Sequence, residues 1–302
     1  MPAQIINGKQ IANKIKDEVV KEIAKLKDHP NLAIILVGQK PDSQLYVSLK
    51  EKEGKKCGID TNLYKFDEDA SEEELLQCIN FLNNDTKIDG ILLQLPLPDK
   101  FNTDKIVNTI DVKKDVDGFH QENLKKIHSS LPRFTPPSQR TGRAKEGVGG
   151  RYILPPLAGV ILEILKDIKC DLRDKQVAIL AHSDIFMQGV GNILQQQGAE
   201  ILPCNYDNNS ETKLQDCTKE ADIIITAVGK KHYLNSDYIK KGVIIIDIGI
   251  IKEGTGAFGD VDFEDVQDIA GYITPVPGGV GPITVACAFR NVLKLYKKAI
   301  KQ

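Results

Sequence analysis

Apolar side chains recur along the first part of the chain with two different periods. Between residues 9 and 27 they are spaced four apart, as in an amphipathic helix: Ile11, Ile15, Val19 and Ile23. The next run, LAIILVG (32–38), is apolar throughout and ends at a glycine, which is typical of a parallel strand buried on both faces. A capping box of Ser71 and Glu74 predicts the start of a later helix. The other predicted elements are a helix at 42–56, a strand near 60–65 and a strand within 88–98.

A second series of apolar runs begins after residue 175, with helical stretches between them. The runs are VAIL (177–180), EILPC (200–204), DIIITAV (222–228) and VIIIDIGI (243–250). Strands that alternate with helices predict a parallel sheet. This order is that of a Rossmann-like nucleotide-binding domain. The fold class is therefore predicted as α/β, with two domains and a cleft between them.

The domain boundaries follow from these two series. The first domain is predicted to comprise residues 1–135, completed by a C-terminal helix at 284–302. The second comprises 156–283 and begins with a helix at about 156–169. Between them, residues 136–155 are rich in glycine and basic side chains and have no apolar period, so a loop or a disordered insertion is predicted.

The composition argues against several classes of partner. The 302 residues are 41% hydrophobic and carry a net charge of −2, which gives no electrostatic reason to expect nucleic acid or a membrane surface. No apolar run approaches the ~20 residues that span a bilayer, and no secretory signal pattern is expected at the N-terminus. The six cysteines lack metal-ligand spacing and are interpreted as free thiols, so a reducing, cytoplasmic location is predicted.

Four groups of residues carry candidate chemistry. Tyr46 and Lys50 lie four apart on one helical face, where they are either a base with its neighbour or a solvated surface pair. Gln94 ends an apolar strand, where open α/β sheets bind ligands, although a core hydrogen bond is the alternative. Asp117 offers an acceptor to an amino-substituted heterocycle, or caps a turn. The Pro- and Gly-rich segment 274–284 suits close approach by a flat ligand.

Two long stretches resemble diagnostic motifs of the methylenetetrahydrofolate dehydrogenase/cyclohydrolase family: EEELLQCINFLNNDTKIDGILLQLPLP (72–98) and PGGVGPITV (277–285). The Tyr46/Lys50 helix, KDVDGFH (114–120) and GDVDF (259–263) match as well. The resemblance implies oxidation of 5,10-methylenetetrahydrofolate to the 5,10-methenyl form with NAD or NADP, followed by hydrolysis to 10-formyltetrahydrofolate. It also implies a homodimer, and it requires no metal.

The resemblance assigns roles to the candidate residues. Lys50 is the expected catalytic lysine, and Tyr46 positions it and packs on the folate. Gln94 is expected to orient Lys50 and the reacting carbon, and Asp117 to hold the amino edge of the pterin. The remaining expected folate contacts are Pro277 and Gly278.

The cofactor side departs from the family pattern. Relatives carry a Gly-Arg-Ser turn where this chain has Ala181-His182-Ser183, and a neutral histidine binds the 2′-phosphate of NADP poorly. Asp207 follows His182 by 25 residues, a usual place for the acidic residue that binds an unphosphorylated ribose, although a solvated turn is the alternative. NAD is therefore favoured over NADP. The expected dinucleotide contacts are Ala181, His182, Ser183, Ile185, Asp207, Gly229, Ile250 and Thr284.

Two other functions are compatible with the residues. A cyclohydrolase that has lost hydride transfer would keep Lys50 while the dinucleotide turn decays, and a non-catalytic folate-binding protein would have no need of this lysine. Tetrahydrofolate derivatives are the expected partners, with no nucleic acid and no membrane. The basic insertion is either a surface loop or a flap over the glutamate tail of folate.

Overall fold

A computed structural model describes residues 2–129, 153–202, 204, 211–254 and 256–300. Its first elements are β1 (Gln4–Ile5), α1 (Gly8–Ile23), β2 (Asn31–Val37), α2 (Pro41–Lys56), β3 (Asp60–Phe66), α3 (Glu72–Asn84), β4 (Gly90–Leu93), α4 (Thr103–Thr109) and α5 (Gln121–Ser129). They are followed by α6 (Pro156–Asp167), β5 (Gln176–Ala181), α7 (Asp184–Gln196), β6 (Glu200–Ile201), α8 (Glu211–Glu220), β7 (Ile223–Ala227), β8 (Ile244–Asp247), β9 (Ile251–Glu253), β10 (Gly256–Phe258), α9 (Phe263–Val266), β11 (Tyr272–Ile273) and α10 (Val280–Ala299). Most of the predicted insertion at 136–155, and Asp207, lie outside the described residues.

The described residues cluster into two compact units. The first unit contains 13–126, 153–156 and 285–300, and the second contains 2–12, 127–129 and the described part of 157–284. The structure differs from the predicted boundary at the N-terminus, because β1 pairs in parallel with β11. Residues 4 and 5 therefore extend the sheet of the second unit, although they were expected in the first domain.

The sheet of the first unit has three parallel strands in the order β3-β2-β4. In the central strand, Leu32 and Ile34 pack into one apolar cluster with Phe289 of α10. Ala33 and Ile35 point to the opposite face and pack into a second cluster. Because apolar residues cover both faces, this strand is an unbroken apolar run, as the sequence predicts.

Helix α3 begins with the predicted capping box. The Ser71 hydroxyl accepts a hydrogen bond from Glu74 N at 3.2 Å, and the Glu74 carboxylate accepts one from Ser71 N at 2.7 Å. These bonds satisfy two of the backbone N–H groups that a helix start leaves without partners. The helix therefore starts at Glu72, where the sequence predicts it.

The sheet of the second unit has six parallel strands in the order β1-β11-β8-β7-β5-β6. From β5 the chain moves to β6 at one edge and then returns to β7 on the other side of β5. Ligands of open parallel sheets bind at the carboxyl ends of the strands where the winding reverses, which here is between β5 and β7. The predicted α/β fold with a Rossmann-like second domain is confirmed.

One prediction about the cysteines is wrong. Cys204 and Cys217 form a disulfide with their Cα atoms 5.7 Å apart, whereas Cys57, Cys78, Cys170 and Cys287 are free. The segment after β6 and helix α8 bring together two residues 13 positions apart, at a separation that a disulfide can bridge. Scattered spacing along the sequence gave no sign of this pairing.

Two properties of the described residues are relevant to function. None of their helices is long and apolar enough to cross a membrane. Among the same residues, no group of three or more His, Cys, Asp or Glu side chains is arranged to hold a metal ion.

Candidate active and cofactor-binding sites

The predicted lysine and glutamine meet in the first unit. Lys50 lies in the middle of α2, and its amine donates a hydrogen bond to Gln94 Oε1 at 2.9 Å. The amide nitrogen of Gln94 donates in turn to Leu95 O at 2.7 Å. This second bond fixes which amide atom of Gln94 faces the lysine. Gln94 thus holds the Lys50 amine in one orientation.

Gln94 lies where a ligand of this sheet is expected. It directly follows β4, and its backbone N–H donates to Ile35 O of β2 at 2.9 Å. The central strand β2 has β3 on one side and β4 on the other, so the winding of this sheet reverses between β2 and β4. Gln94, and the Lys50 amine that is bonded to it, therefore lie at the carboxyl end of β4, beside the reversal point.

Asp117 follows a segment that runs beside β4. Ile91 N donates to Lys114 O at 2.7 Å, and Val116 N donates to Ile91 O at 3.3 Å. The segment pairs in parallel with β4 through Ile91 and Asp115. Asp117 is thereby placed next to the carboxyl end of β4, on the same edge of the sheet as Gln94.

A buried carboxylate shapes the turn that carries Asp117. Asp115 is 1% exposed and accepts hydrogen bonds from Gly118 N, His120 N and Asn123 Nδ2, each at 2.9 Å. Burial raises the pKa of Asp115, and these three bonds lower it. The turn is therefore fixed from inside by a carboxylate whose oxygens are occupied.

Burial acts on Lys50 and Asp117 in opposite directions. Desolvation lowers the pKa of the Lys50 amine from its usual value, against the charge of Asp117. Desolvation raises the pKa of Asp117 to about 7, against the charge of Lys50. Asp117 lines a small cavity whose other walls are mostly apolar, including Leu93 and Phe119. The shifts bring both groups nearer to titration at neutral pH, as proton transfer requires.

The remaining predicted folate residues have different surroundings. Tyr46 is half-buried on α2, one turn before Lys50, so the two side chains leave the helix on the same face. Pro277 and Gly278 belong to the second unit, after β11. Gly278 has a φ of 107°, a conformation that favours glycine, and a Cβ there would meet nothing within 4 Å. The backbone at Gly278 is therefore accessible to a ligand.

Several predicted cofactor residues meet at the reversal point of the six-stranded sheet. Ala181 ends β5, and Ser183 caps α7 by accepting a hydrogen bond from Phe186 N at 3.3 Å. His182 Nε2 donates to Val228 O at 2.9 Å, which joins the turn after β5 to the loop after β7. Gly229, in that loop, has a φ of 68° and open space where a Cβ would lie. A bare backbone next to a helix N-terminus fits the pyrophosphate-bearing part of a dinucleotide.

The four other predicted cofactor residues are less informative. Ile250 is 47% exposed after β8, and Thr284 donates within α10 to Val280 O at 3.2 Å. Ile185 lies in α7, and its side chain is outside the described part of the structure, as is the whole of Asp207.

Sequence reasoning assigned no role to two buried carboxylates, Asp247 and Asp260. Asp247 ends β8, and Asp260 follows β10 within the GDVDF motif. Each accepts several backbone hydrogen bonds at the carboxyl edge of the six-stranded sheet. A charged residue inside the apolar run VIIIDIGI was the available signal, since a buried carboxylate needs partners.

Comparison with known proteins identifies the family of the chain. Two family models match: "Tetrahydrofolate dehydrogenase/cyclohydrolase, catalytic domain" over residues 6–117 and "Tetrahydrofolate dehydrogenase/cyclohydrolase, NAD(P)-binding domain" over residues 155–300. "Bifunctional protein FolD" of Oceanobacillus iheyensis is 38% identical over 299 residues, which cover 98% of this chain and 97% of that protein.

Solved structures agree with these matches. The bifunctional FolD enzyme of Campylobacter jejuni has a TM-score of 0.87 and 37% identity, covering 98% of this chain and 99% of that chain. The Trypanosoma brucei methylenetetrahydrofolate dehydrogenase-cyclohydrolase, solved with NADP and an inhibitor, has a TM-score of 0.86 and 27% identity, and the match covers 100% of each chain. The chain therefore belongs to the tetrahydrofolate dehydrogenase/cyclohydrolase family and is a bifunctional enzyme of folate one-carbon metabolism.

Proposed function

We propose that Lys50, Gln94 and Asp117 form the folate site at which the chain oxidises 5,10-methylenetetrahydrofolate and hydrolyses the 5,10-methenyl product to 10-formyltetrahydrofolate. The observation that carries this proposal is the 2.9 Å bond from the Lys50 amine to Gln94, next to Asp117. A nicotinamide dinucleotide supplies the hydride acceptor when bound. The match of residues 155–300 to an NAD(P)-binding domain does not favour a cyclohydrolase without hydride transfer.

Hydrolysis requires a base near the methenyl carbon. As the water oxygen bonds to this carbon, the neutral Lys50 amine accepts one proton, and its lowered pKa increases the neutral fraction. The bond from this carbon to N5 then breaks as the carbonyl forms, and the second proton of the water moves to N5. Lys50 releases the first proton to solvent. Gln94 keeps the amine in place throughout, because its own amide is held by Leu95 O.

Asp117 and Tyr46 bind the substrate on either side of this chemistry. Ionised Asp117 accepts hydrogen bonds from the amino edge of the pterin, and its proximity to Lys50 keeps more of it ionised. The Tyr46 ring, one turn before Lys50, packs against the folate. These side chains, together with Lys50 and Gln94, thus position the water and the substrate.

A Lys50→Met variant tests the site. We expect cyclohydrolase kcat to fall about a hundredfold or more, because general base catalysis contributes at least that much. The circular dichroism spectrum should change little, and so should folate affinity at a pH high enough to ionise Asp117 in both proteins. The matched control is Lys52→Met on the same helix, since Lys52 is exposed. Hydrolysis of methenyl-folate by Lys50→Met at near wild-type rate would refute the assignment.

NAD is the preferred dinucleotide in this proposal. His182 stands where the family pattern has arginine, and its Nε2 is engaged with Val228 O. Asp207 adds a carboxylate at the place in the sequence where ribose-binding acidic residues occur. A carboxylate next to the 2′-phosphate of NADP is repulsive, and a neutral histidine offsets little of that charge.

The preference is measured as kcat/KM with NAD and with NADP. We expect NAD to be favoured by about ten- to a hundredfold, which corresponds to about 1–3 kcal/mol. Combining His182→Arg with Asp207→Ser should shift the ratio towards NADP, whereas His182→Gln, which keeps a hydrogen-bond donor, should not. Equal or better use of NADP by the wild-type enzyme contradicts the preference.

A further inference from the structure

The proposed mechanism makes no use of the two most deeply buried carboxylates of the second unit. Asp260 is 0% exposed and Asp247 is 2% exposed. Burying a carboxylate is costly unless hydrogen bonds compensate it. The groups that supply those bonds show which parts of the chain the carboxylates hold.

Every hydrogen bond recorded for the Asp260 carboxylate comes from β7 or the loop that follows it. Oδ2 accepts from Val228 N at 2.7 Å and from Thr226 Oγ1 at 2.8 Å, and Oδ1 accepts from Lys230 N at 3.0 Å. These donors lie on both sides of Gly229, the proposed dinucleotide contact. Asp260 therefore fixes the path of the backbone through Gly229.

Asp247 holds Asp260 in place. Its Oδ1 accepts from Asp260 N at 3.2 Å and from Gly249 N at 2.9 Å, and its Oδ2 accepts from Val261 N at 3.0 Å. A Cβ on Gly249 would overlap the Asp260 carboxylate, and a Cβ on Gly259 would overlap that of Asp247. The two carboxylates and two glycines thus interlock at the carboxyl ends of β7 and β8.

The same loop is held on its other side. Val228 N donates to Asp260, while Val228 O accepts from His182 Nε2 at 2.9 Å. Both backbone polar groups of Val228 are therefore occupied, one by a carboxylate and the other by the turn after β5. This residue lies at the reversal point of the sheet, where a dinucleotide is expected.

We propose that Asp260 is a positioning residue for the dehydrogenase half of the reaction: it holds the loop 228–230 in the backbone conformation that receives the dinucleotide, and Asp247 holds Asp260. This inference rests on the proposed contact between Gly229 and the dinucleotide. The cyclohydrolase half needs no dinucleotide, so the two activities of one enzyme separate a positioning role from general loss of folding.

The decisive variant is Asp260→Asn, which keeps the shape but places an NH₂ group against one of the donors of Val228, Thr226 or Lys230. We expect the Kd of the preferred dinucleotide, measured by calorimetry, and its KM to rise about tenfold, the equivalent of one charge-assisted hydrogen bond. Cyclohydrolase kcat/KM should stay within about twofold. Thr226→Val, which removes one donor, should raise the same Kd by less.

The matched control is Thr218→Val, which removes a different buried hydroxyl of the second unit, one that donates to Leu214 O at 3.0 Å. It should leave dinucleotide affinity and both activities unchanged. Parallel loss of both activities in Asp260→Asn and Thr226→Val, or an unchanged Kd in both, would show that Asp260 serves folding alone. A wild-type enzyme that binds no dinucleotide would also overturn the inference. Binding without hydride transfer would instead contradict the proposed function.

Discussion

Three ionisable side chains, Lys50, Asp117 and Asp247, lie where they have lost much of their contact with water. Desolvation lowers the pKa of Lys50 and raises those of Asp117 and Asp247 to about 7. The charge of Asp260 raises the pKa of Asp247 further, and hydrogen bonds from Val261, Asp260 and Gly249 oppose the shift. Because the pKa of Asp247 is higher in the folded state than in the unfolded state, folding favours its protonated form. The resulting contribution of Asp247 to the free energy of unfolding is fully present below pH 3.8, its ordinary pKa, and is lost as the pH rises through about 7.

The raised pKa of Asp117 predicts a pH-dependent affinity for folate. Only the ionised carboxylate accepts from both donors of the pterin edge, so the Kd for tetrahydrofolate should rise by up to about tenfold for each pH unit below about 7. Calorimetric titrations between pH 5.5 and 8.5, a range of about 3 units, measure this dependence.

Two variants serve as controls for this pH profile. Asp117→Asn should bind folate weakly at every pH and lose the dependence. Lys50→Met should keep it but move the midpoint to higher pH, because the charge of Lys50 lowers the pKa of Asp117. A flat wild-type profile would show that Asp117 does not titrate in this range.

The sequence predicts some of the residues that the structure brings together, but not others. Lys50 and Gln94 were predicted because helical spacing and the end of an apolar strand are local patterns, and the structure brings the two side chains together. The partnership of Asp247 with Asp260 was not predicted. It joins residues 13 positions apart through a hairpin of short strands, and no local period connects them.

Helices and strands with a strong local pattern were also easier to predict than those without one. Long elements such as β2 and α3 were predicted closely, because a continuous apolar run and a capping box are strong signals. The strands β1, β9 and β11 have two or three residues each, too few to show a period. Helix α10 starts at Val280, four residues before the predicted start at 284. Its Pro282 lies in the first turn, where the missing N–H costs nothing, although proline suggested a loop.

One residue of α10 connects this helix to the segment before Asp117. Asn291 is buried, and its amide donates to Val116 O at 2.9 Å and to Leu154 O at 2.8 Å. Asn291→Ala should lower the free energy of unfolding by about 2–3 kcal/mol, because two buried carbonyls lose a donor. Urea denaturation measures the loss. The control Asn80→Ala, at an exposed position of α3, should change stability by less than about 0.5 kcal/mol, and an equally small effect of Asn291→Ala would contradict the role given to this amide.

At the scale of the whole molecule, the order of the units along the chain was harder to predict than their folds. Helices α1 and α10 each begin in the second unit and continue into the first. Apolar periodicity predicts that a helix exists, but not which of two cores receives each of its turns. The disulfide between Cys204 and Cys217 was missed for a related reason, since the pairing depends on where a strand end meets a helix in space.

The pairing of β1 with β11 has a consequence for synthesis. The paired residues Gln4 and Tyr272 are 268 positions apart (272 − 4 = 268). Ribosomes add about 5–20 residues per second, so roughly 15–50 s pass between the synthesis of β1 and that of its partner β11. During this interval its backbone N–H and C=O groups have no place in a sheet. The six-stranded sheet of the described residues is therefore completed at its edge by a strand that was made before the other five, and only after about 268 further residues have been added.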